Sequence, residues 1–518
     1  MASEAVDVKI GERYTQLESK RSEVLERARE CAKLTIPSLM PPDGHDEQTR
    51  LYKPYQSMGA RGVNNLSSKL MLTLLPPNSP FFKFTIDPAL VEDSGQDDAE
   101  MNSTLAEMES ILVRDIESSG DRVATFQWVR LLVVTGNALL YFPPTDQGGG
   151  MKVYKLDQYV VVRDPLGNIL ELIIKEQIAP QAIKDEAVKA KVLVEIKKNE
   201  GVKNYVDLFT RAVLDRDTNK WLVTQEVNNE PMNESAGEFE KDDLPYLALR
   251  WNALANEDYG RGHTDEAIGD LRSLEGLSQA RQEAVSASAK VVFFVDPNGT
   301  VNSTKLANAE NLEVIEGRAD EVTVLQTQKT SDLQVVRESI LDIKQDLAYH
   351  YLLNSSIQRN AERVTAEEIR TMAQELEDSL GGTYTVLSQE FQKPYVKIKI
   401  VRMTAEGKFP EDAKEIDPVI TTGLDGLGRG QDYNKISQFL AGVSQLGEQA
   451  VKQINYNTVV IQLATAVGLK AEDYVISQEQ QAKTAQDEQV SGVIDKATGP
   501  VAGAMAKGMV EQGTQEGV

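Results

Sequence analysis

Chemistry in this chain would be sought first at three histidines (His45, His263 and His350), one cysteine (Cys31) and a glycine-rich run, TGLDGLGRG. A metal site needs several His, Cys or carboxylate side chains at ligand spacing. None of the three histidines has such a neighbour, so each reads as a surface or packing residue. Cys31 lies on the apolar row of a helical pattern and reads as a small core hydrophobe. The glycine run lacks the Lys-Ser/Thr of a phosphate-binding loop and does not follow a strand, so it reads as a hinge between helical segments. Asp342 and Asp346, four apart on one helical face, read as a solvated stripe. No GxSxG elbow, HExxH pair or DxDxDG calcium loop is present. The expectation is a protein with no catalytic residue, no metal and no cofactor.

A different stretch raises the functional question. In LLNSSIQRNAERVTAEEIR, Leu352 to Arg370, only Ile357 and Ala361 are apolar between Asn354 and Arg363. Thr365 and Glu368 have capping-box spacing, so a helix starts there. The segment before them offers amides, hydroxyls and two arginines with nothing to fold onto.

The flanking elements must hold that segment. Apolar spacing predicts a helix from about His263 to Lys290, with Thr264 as its N-cap, and a second from Ser331 to Leu353. The first, at some 27 residues, would be a rod of about 40 Å. Leu271, Leu274, Ile340 and Leu347 mark the faces that should be buried between rods of the same or an adjacent subunit. A small β-rich insert, with VVFFV, DPNG, LEVIEG and EVTVLQ, separates them. Upstream, helices are expected over 11–34, around GARGVNNLSSKLML, over 102–118 and over 124–135. Then the period changes. ALLYFPP, KVYKLDQYVVVRD, ILELIIKEQI, LVEIKK, YVDLFTRAVL, KWLVTQEV and LPYLALRW read as strands of an antiparallel sheet. The fold class is α+β. More helix follows Gly423, and the last 35 or so residues read as weakly structured.

Net charge is −25 and only one cysteine is present. An acidic chain repels nucleic acid at long range, which disfavours a DNA-coating role but not one in which DNA must pass without sticking. The start, MASEAVDVKIGER, lacks a signal-peptide pattern. No apolar run approaches a membrane span, so no membrane insertion is expected.

Several co-linear segments carry a family resemblance. They are CAKLTIPSLMPP, GARGVNNLSSKLML, VVTGNALLY, YVVVRDPLGN, YGRGHTDEAIGDLRSLEGL, LLNSSIQRNAERVTAEEIR, ELEDSLGGTYTVLSQE and TGLDGLGRGQD. In order over roughly residues 10–480, the chain resembles the head-to-tail connectors, or portal proteins, of short-tailed bacteriophages. It departs from the family pattern at about 181–245, at about 297–320 and in the C-terminal tail.

The resemblance implies a phage portal fold: a ring-forming subunit with an α+β wing, a two-helix stem, a small β-rich clip and a helical crown. The wing would span 1–262, the stem helices 263–290 and 331–353, and the clip 291–330. A tunnel loop would span 354–364, and a long wing helix with a return strand 365–424. The crown would span 425–482, and a C-terminal barrel or tail 483–518. The resemblance also implies a homo-dodecamer at one capsid vertex of the virion, assembled in the bacterial host cytoplasm, with double-stranded DNA in its channel. The partners implied are the terminase large subunit, a tail adaptor protein, the major capsid and scaffolding proteins, and internal core proteins. The tunnel loop would present Asn354, Ser355, Ser356, Gln358 and Asn360 to the DNA backbone, with Arg359 and Arg363 for phosphate contacts. As an ordinary solvent-exposed connector, the same loop would need no such role. An oligomeric helical scaffold with no nucleic-acid role is the alternative function.

Overall fold

The computed structural model describes residues 9–46, 48–77, 80–85, 98–144, 150–198, 205–288, 292–310, 313–325, 330–353, 366–380, 382–411, 413, 416–420, 428–445, 454, 459, 460 and 463. The chain divides into two compact units. One comprises residues 1–82 and 112–426, the other 83–111 and 427–518.

The first unit opens with α1 (Ile10–Lys20) and α2 (Ser22–Leu34), where the sequence predicts one helix. Arg21 at the joint explains the break. It is fully buried, and its guanidinium donates to the Leu156 carbonyl at 2.6 Å and to that of Tyr159. A charge that interrupts the apolar row is thereby stabilised by backbone oxygens. The N–H groups of Ile10 and Gly11, which have no partner within the helix, donate to the Glu226 carboxylate at 2.9 and 3.1 Å, placing negative charge at a helix N-terminus. α3 (Met58–Leu74) buries Val63, Leu66, Leu70 and Leu74 completely, as their spacing predicts.

β1 (Phe82–Thr85), α4 (Asp98–Ser118) and α5 (Asp121–Thr135) follow. Gly136 ends α5 at φ +76, where a Cβ would stand 2.3 Å from the Arg261 backbone, so only glycine serves as this cap. β2 (Asn137–Tyr141) pairs antiparallel with β3 (Lys152–Tyr154) and with a strand described below. β4 (Tyr159–Arg163) and β5 (Ile169–Ile178) begin a second sheet. α6 (Glu186–Lys198) then includes LVEIKK, read from sequence as a strand. Its short apolar run is helical, and Val188 and Val192, four apart, pack with Val206, Val227 and Met232.

β6 (Val206–Asp215), β7 (Lys220–Val227) and β8 (Glu230–Glu240) complete a five-stranded antiparallel meander from β4 to β8. Asn228 and Asn229, both at positive φ, form the two-residue turn between β7 and β8. β9 (Tyr246–Arg250) returns to pair with β2.

The rods come next. α7 (His263–Glu266) is a single turn, and α8 (Ile268–Ser288) follows after Ala267. The first rod is therefore interrupted at Ala267, and its expected last residues, 289 and 290, lie outside the described residues. Its N-cap is Gly262, not Thr264, which lies inside the first turn with its side chain buried. β10 (Val292–Val295), the short α9 (Ser303–Ala307) and β11 (Val322–Leu325) form the insert, with β10 antiparallel to β11. LEVIEG is not a strand over its described residues, 313–317. α10 (Thr330–His350) is the second rod, 21 residues or about 31 Å long.

The helix expected from Thr365 comprises, over its described residues, α11 (Ala366–Leu380), α12 (Gly382–Leu387), a π-helical turn over Ser388–Gln392 and α13 (Lys393–Ala405). At the π turn the buried Gln392 amide donates to the Leu74 carbonyl at 2.7 Å. Thr365 lies outside the described residues, and with it the expected capping box. β12 (Asp417–Ile420) follows. The core between these helices holds a buried charge cluster. The Lys399 ammonium is 2.9 Å from both Asp115 and Asp121, and the Tyr395 hydroxyl donates to Asp121 at 2.8 Å. Lysine and tyrosine together hold the Asp121 carboxyl below its usual range against the burial that would raise it.

In the second unit the Glu109 carboxylate accepts from the Phe84 N–H at 2.9 Å. α14 (Gly428–Gln445) starts inside the glycine run, so its last three residues here, Gly428–Gly430, are helical. Residues 464–518 lie outside the described residues, with most of the expected crown and all of the tail.

Candidate functional site: the joint at the base of the rods

The two rods pack against each other, and both touch α3 or its flanks. Leu271, Leu274 and Leu347 are fully buried and Ile340 is nearly so, all within one chain. A neighbouring subunit is not needed to cover them. Other large apolar side chains of the rods, Val285, Val335 and Leu341, are more than half exposed. Asp342 and Asp346 are exposed, as expected of a solvated stripe.

An antiparallel hairpin of rods sets the first residue of one opposite the last residue of the other. Those residues are His263 and His350. Their rings stack with centroids 3.8 Å apart and planes 4° from parallel. Each Nε2 lies 3.0 Å from the other residue's backbone carbonyl. A carbonyl only accepts, so each ring carries its proton on Nε2 and leaves Nδ1 bare. Sequence reading treated the two as separate packing residues. Their pairing was signalled only by their positions, at the start of HTDE and the end of LAYH. His45 is half-buried in the loop after α2.

Burial, and then the neighbouring His350, push His263 down to about 3; burial also lowers His350. Both are therefore neutral at pH 7. The carboxylates that act on the pair are Glu266, whose oxygen is 3.7 Å from His263 Nδ1, and Asp270. A group with a depressed folded pKa that is neutral when folded gives full stability above its unfolded value near 6.5. That contribution is lost as pH falls from there toward 3. Between pH 7 and 5, the unfolding midpoint of the parent should fall more steeply than that of His263→Gln, which keeps an N–H donor but does not titrate. The difference is at most about 1.4 kcal/mol per pH unit. Superimposable pH profiles would contradict this.

His263, Glu266 and His350 are the cluster of possible metal ligands among the described residues. Their geometry does not suit an ion. Imidazole lone pairs lie in the ring plane, and these planes are parallel with centroids 3.8 Å apart. An ion midway would stand out of both planes by nearly the length of a metal–nitrogen bond. Cys31 is buried, and burial raises its thiol to about 12, which makes it a core residue.

The chain leaving this joint is held by α3. The Tyr351 ring is buried against Gly62, where an added Cβ would stand 2.4 Å from it. Its hydroxyl donates to Thr264 at 3.1 Å. Asn65 donates to the carbonyls of Tyr351 and Leu352, and Lys69 to that of Leu352. Leu352 itself adopts φ +54. Asn354, Ser355, Ser356, Gln358, Arg359, Asn360 and Arg363 lie outside the described residues, which stop at Leu353 and resume at Ala366.

At the far end of the rods the β10–β11 hairpin carries Phe293 and Phe294, each more than half exposed, and Val314 is almost fully exposed. Short strands with open edges and apolar side chains in water are a hazard unless something covers them.

The model of the bacteriophage head to tail connecting protein family matches residues 8–475. The chain belongs to that family. This connector is 37% identical to the portal protein of Enterobacteria phage T3 over 95% of its own length and 92% of that protein. It is 36% identical to that of Escherichia phage T7, over 97% and 94%. The portal protein of Enterobacteria phage SP6 is 28% identical over 83% of the connector and 82% of that protein. Among solved structures, the neck of an empty GTA particle computed with C6 symmetry aligns over 79% of this chain and 89% of that one. It does so at 10% identity and a TM-score of 0.36.

Proposed function

We propose that this connector assembles as a homo-dodecameric portal at one capsid vertex of the virion, after assembly in the host cytoplasm. Double-stranded DNA passes in and out through its central channel. Its role is structural rather than enzymatic. The observation that carries this reading is the rod hairpin in a family member. Its base is anchored on α3 and leads directly into the polar segment 354–363, and its tip carries an exposed hairpin of strands. In this reading residues 263–290 and 331–353 are the stem, 291–330 the clip and 354–364 the tunnel loop. Residues 1–262 and 365–424 form the wing, and 425–482 the crown. The clip is where the terminase large subunit docks, followed by the tail adaptor. Capsid, scaffolding and internal core proteins contact other faces. Neighbouring subunits cover the exposed apolar residues of the clip and rods.

Charge supports the channel. Twelve copies at −25 each carry a formal −300. A largely acidic wall keeps duplex DNA from adhering, while a few arginines make transient phosphate contacts. A helical scaffold without a nucleic-acid role shares the rods but leaves the polar segment unexplained. Negative-stain microscopy with mass measurement tests the proposal. Rings of about twelve subunits with a hole wide enough for duplex DNA are expected. A compact monomer or dimer would contradict it.

A further inference from the structure

Lys69 sits in the middle of α3, in the run NNLSSKL, and only 4% of it is exposed. A buried ammonium must be hydrogen-bonded and paired, or its desolvation is uncompensated. Its partners lie on two different elements. It donates to the Leu352 carbonyl at 3.0 Å, just past the end of α10, and to the Glu375 carboxylate on α11 at 3.1 Å. Those two acceptors flank the chain between Leu353 and Ala366. One nitrogen therefore ties both sides of that segment to a third helix. Asn65, one turn earlier on α3, reinforces the first side through the Tyr351 and Leu352 carbonyls.

We propose that Lys69 is a positioning residue of the connector, closing the base of the 354–365 segment by holding Leu352 and Glu375 on α3. The inference rests on the channel reading given above and adds a residue to it that lies outside the segment. Closing a loop at its base with a fixed bracket removes conformations from everything between the two ties. An ammonium suits this task because it presents three donors and can serve a carbonyl and a carboxylate together. A lost tie lets the segment start from a variable place, so twelve copies no longer present one arrangement to the DNA.

Lys69→Met keeps most of the side-chain volume and removes the donors. Glu375→Gln, at a side chain that is 28% exposed, keeps shape and removes the ion pair with little risk to folding. Lys69→Arg retains donors for both acceptors. Assembled rings of each are compared by hydrogen exchange of the peptide covering 354–365, by unfolding midpoint, and by packaged DNA per head.

Exchange in that peptide should rise roughly tenfold in Lys69→Met, the scale of one lost charge-assisted hydrogen bond, and by a smaller factor in Glu375→Gln, whose amide oxygen still accepts but without the charge. Exchange outside Leu353–Glu375 should be unchanged, fewer heads should hold full-length DNA, and Lys69→Arg should restore both readouts. If Lys69→Met forms no rings, Glu375→Gln decides alone. Unchanged exchange in the rings that form overturns the inference, and so does raised exchange with full DNA content. Loss of DNA in an Arg359→Glu variant but not in these would overturn this inference alone. No loss in any of them would overturn the channel reading as well.

Discussion

Leu347→Asp is expected to abolish ring formation, by unfolding the paired rods within each subunit. Leu347 is 0% exposed in a single chain, between two helices whose other contact residues, Leu271 and Leu274, are equally covered. An aspartate there loses the burial of a leucine and leaves a cavity, at about 2–5 kcal/mol for comparable truncations. It also places a carboxylate in a fully covered position, a further cost of several kcal/mol unless the group is paired or takes up a proton. The His350 ring, three residues further along α10, has its Nε2 donor already spent on the His263 carbonyl. The subunit therefore loses its joint before any neighbour is involved. Val335→Asp is the control, since Val335 is 63% exposed on the same helix and its replacement leaves the isolated fold intact. Thermal unfolding and particle mass decide. Leu347→Asp should give no rings and a strongly lowered midpoint. Rings of parental mass and midpoint would show that the rod pairing is not needed.

The parts of this architecture with long apolar periods were legible in the sequence. α3 and both rods lie where Val63 to Leu74, Leu271 to Leu274 and Ile340 to Leu347 place them, because one helical face with a partner to bury it specifies itself. The antiparallel sheets were legible for the same reason at period two. Short runs failed. LVEIKK alternates well enough for a strand, but Val188 and Val192 four residues apart give its helix a face to bury, and no alternation reports that. The breaks were also hidden. Arg21 reads as an interruption, yet its role depends on carbonyls 135 and 138 residues away. The base of the rods was the least legible part. His263 and His350 stand 87 residues apart, and neither carries a local motif. Lys69 is an unremarkable helical lysine until Leu352 and Glu375 are brought to it. Gly62 looks like a weak point in a helix until the Tyr351 ring is laid on it. These are contacts between elements, and their information lies in how the rods close on α3.

Arg359→Glu should leave ring assembly intact and reduce the DNA a head retains. Arg359 and Arg363 are the positive charges in 354–363, with Glu362 between them. The polar residues beside them can trade hydrogen bonds with a moving backbone at little net cost, so the arginines supply what attraction there is. In a twelve-fold ring the substitution turns a circle of phosphate contacts into a circle of repulsions, and each change is repeated twelve times around one duplex. The effect should be stronger at low salt, where screening is weakest. Assembly should be spared because the four buried rod residues and the α3 bracket lie outside the segment. The measurement that bears most directly on the channel is the length of DNA packaged per head in Arg359→Glu against the parent. The channel reading predicts shortened or absent genomes in heads whose connector rings are normal. Full-length genomes in the parental proportion would contradict it, and would reduce 354–363 to a connector between two helices.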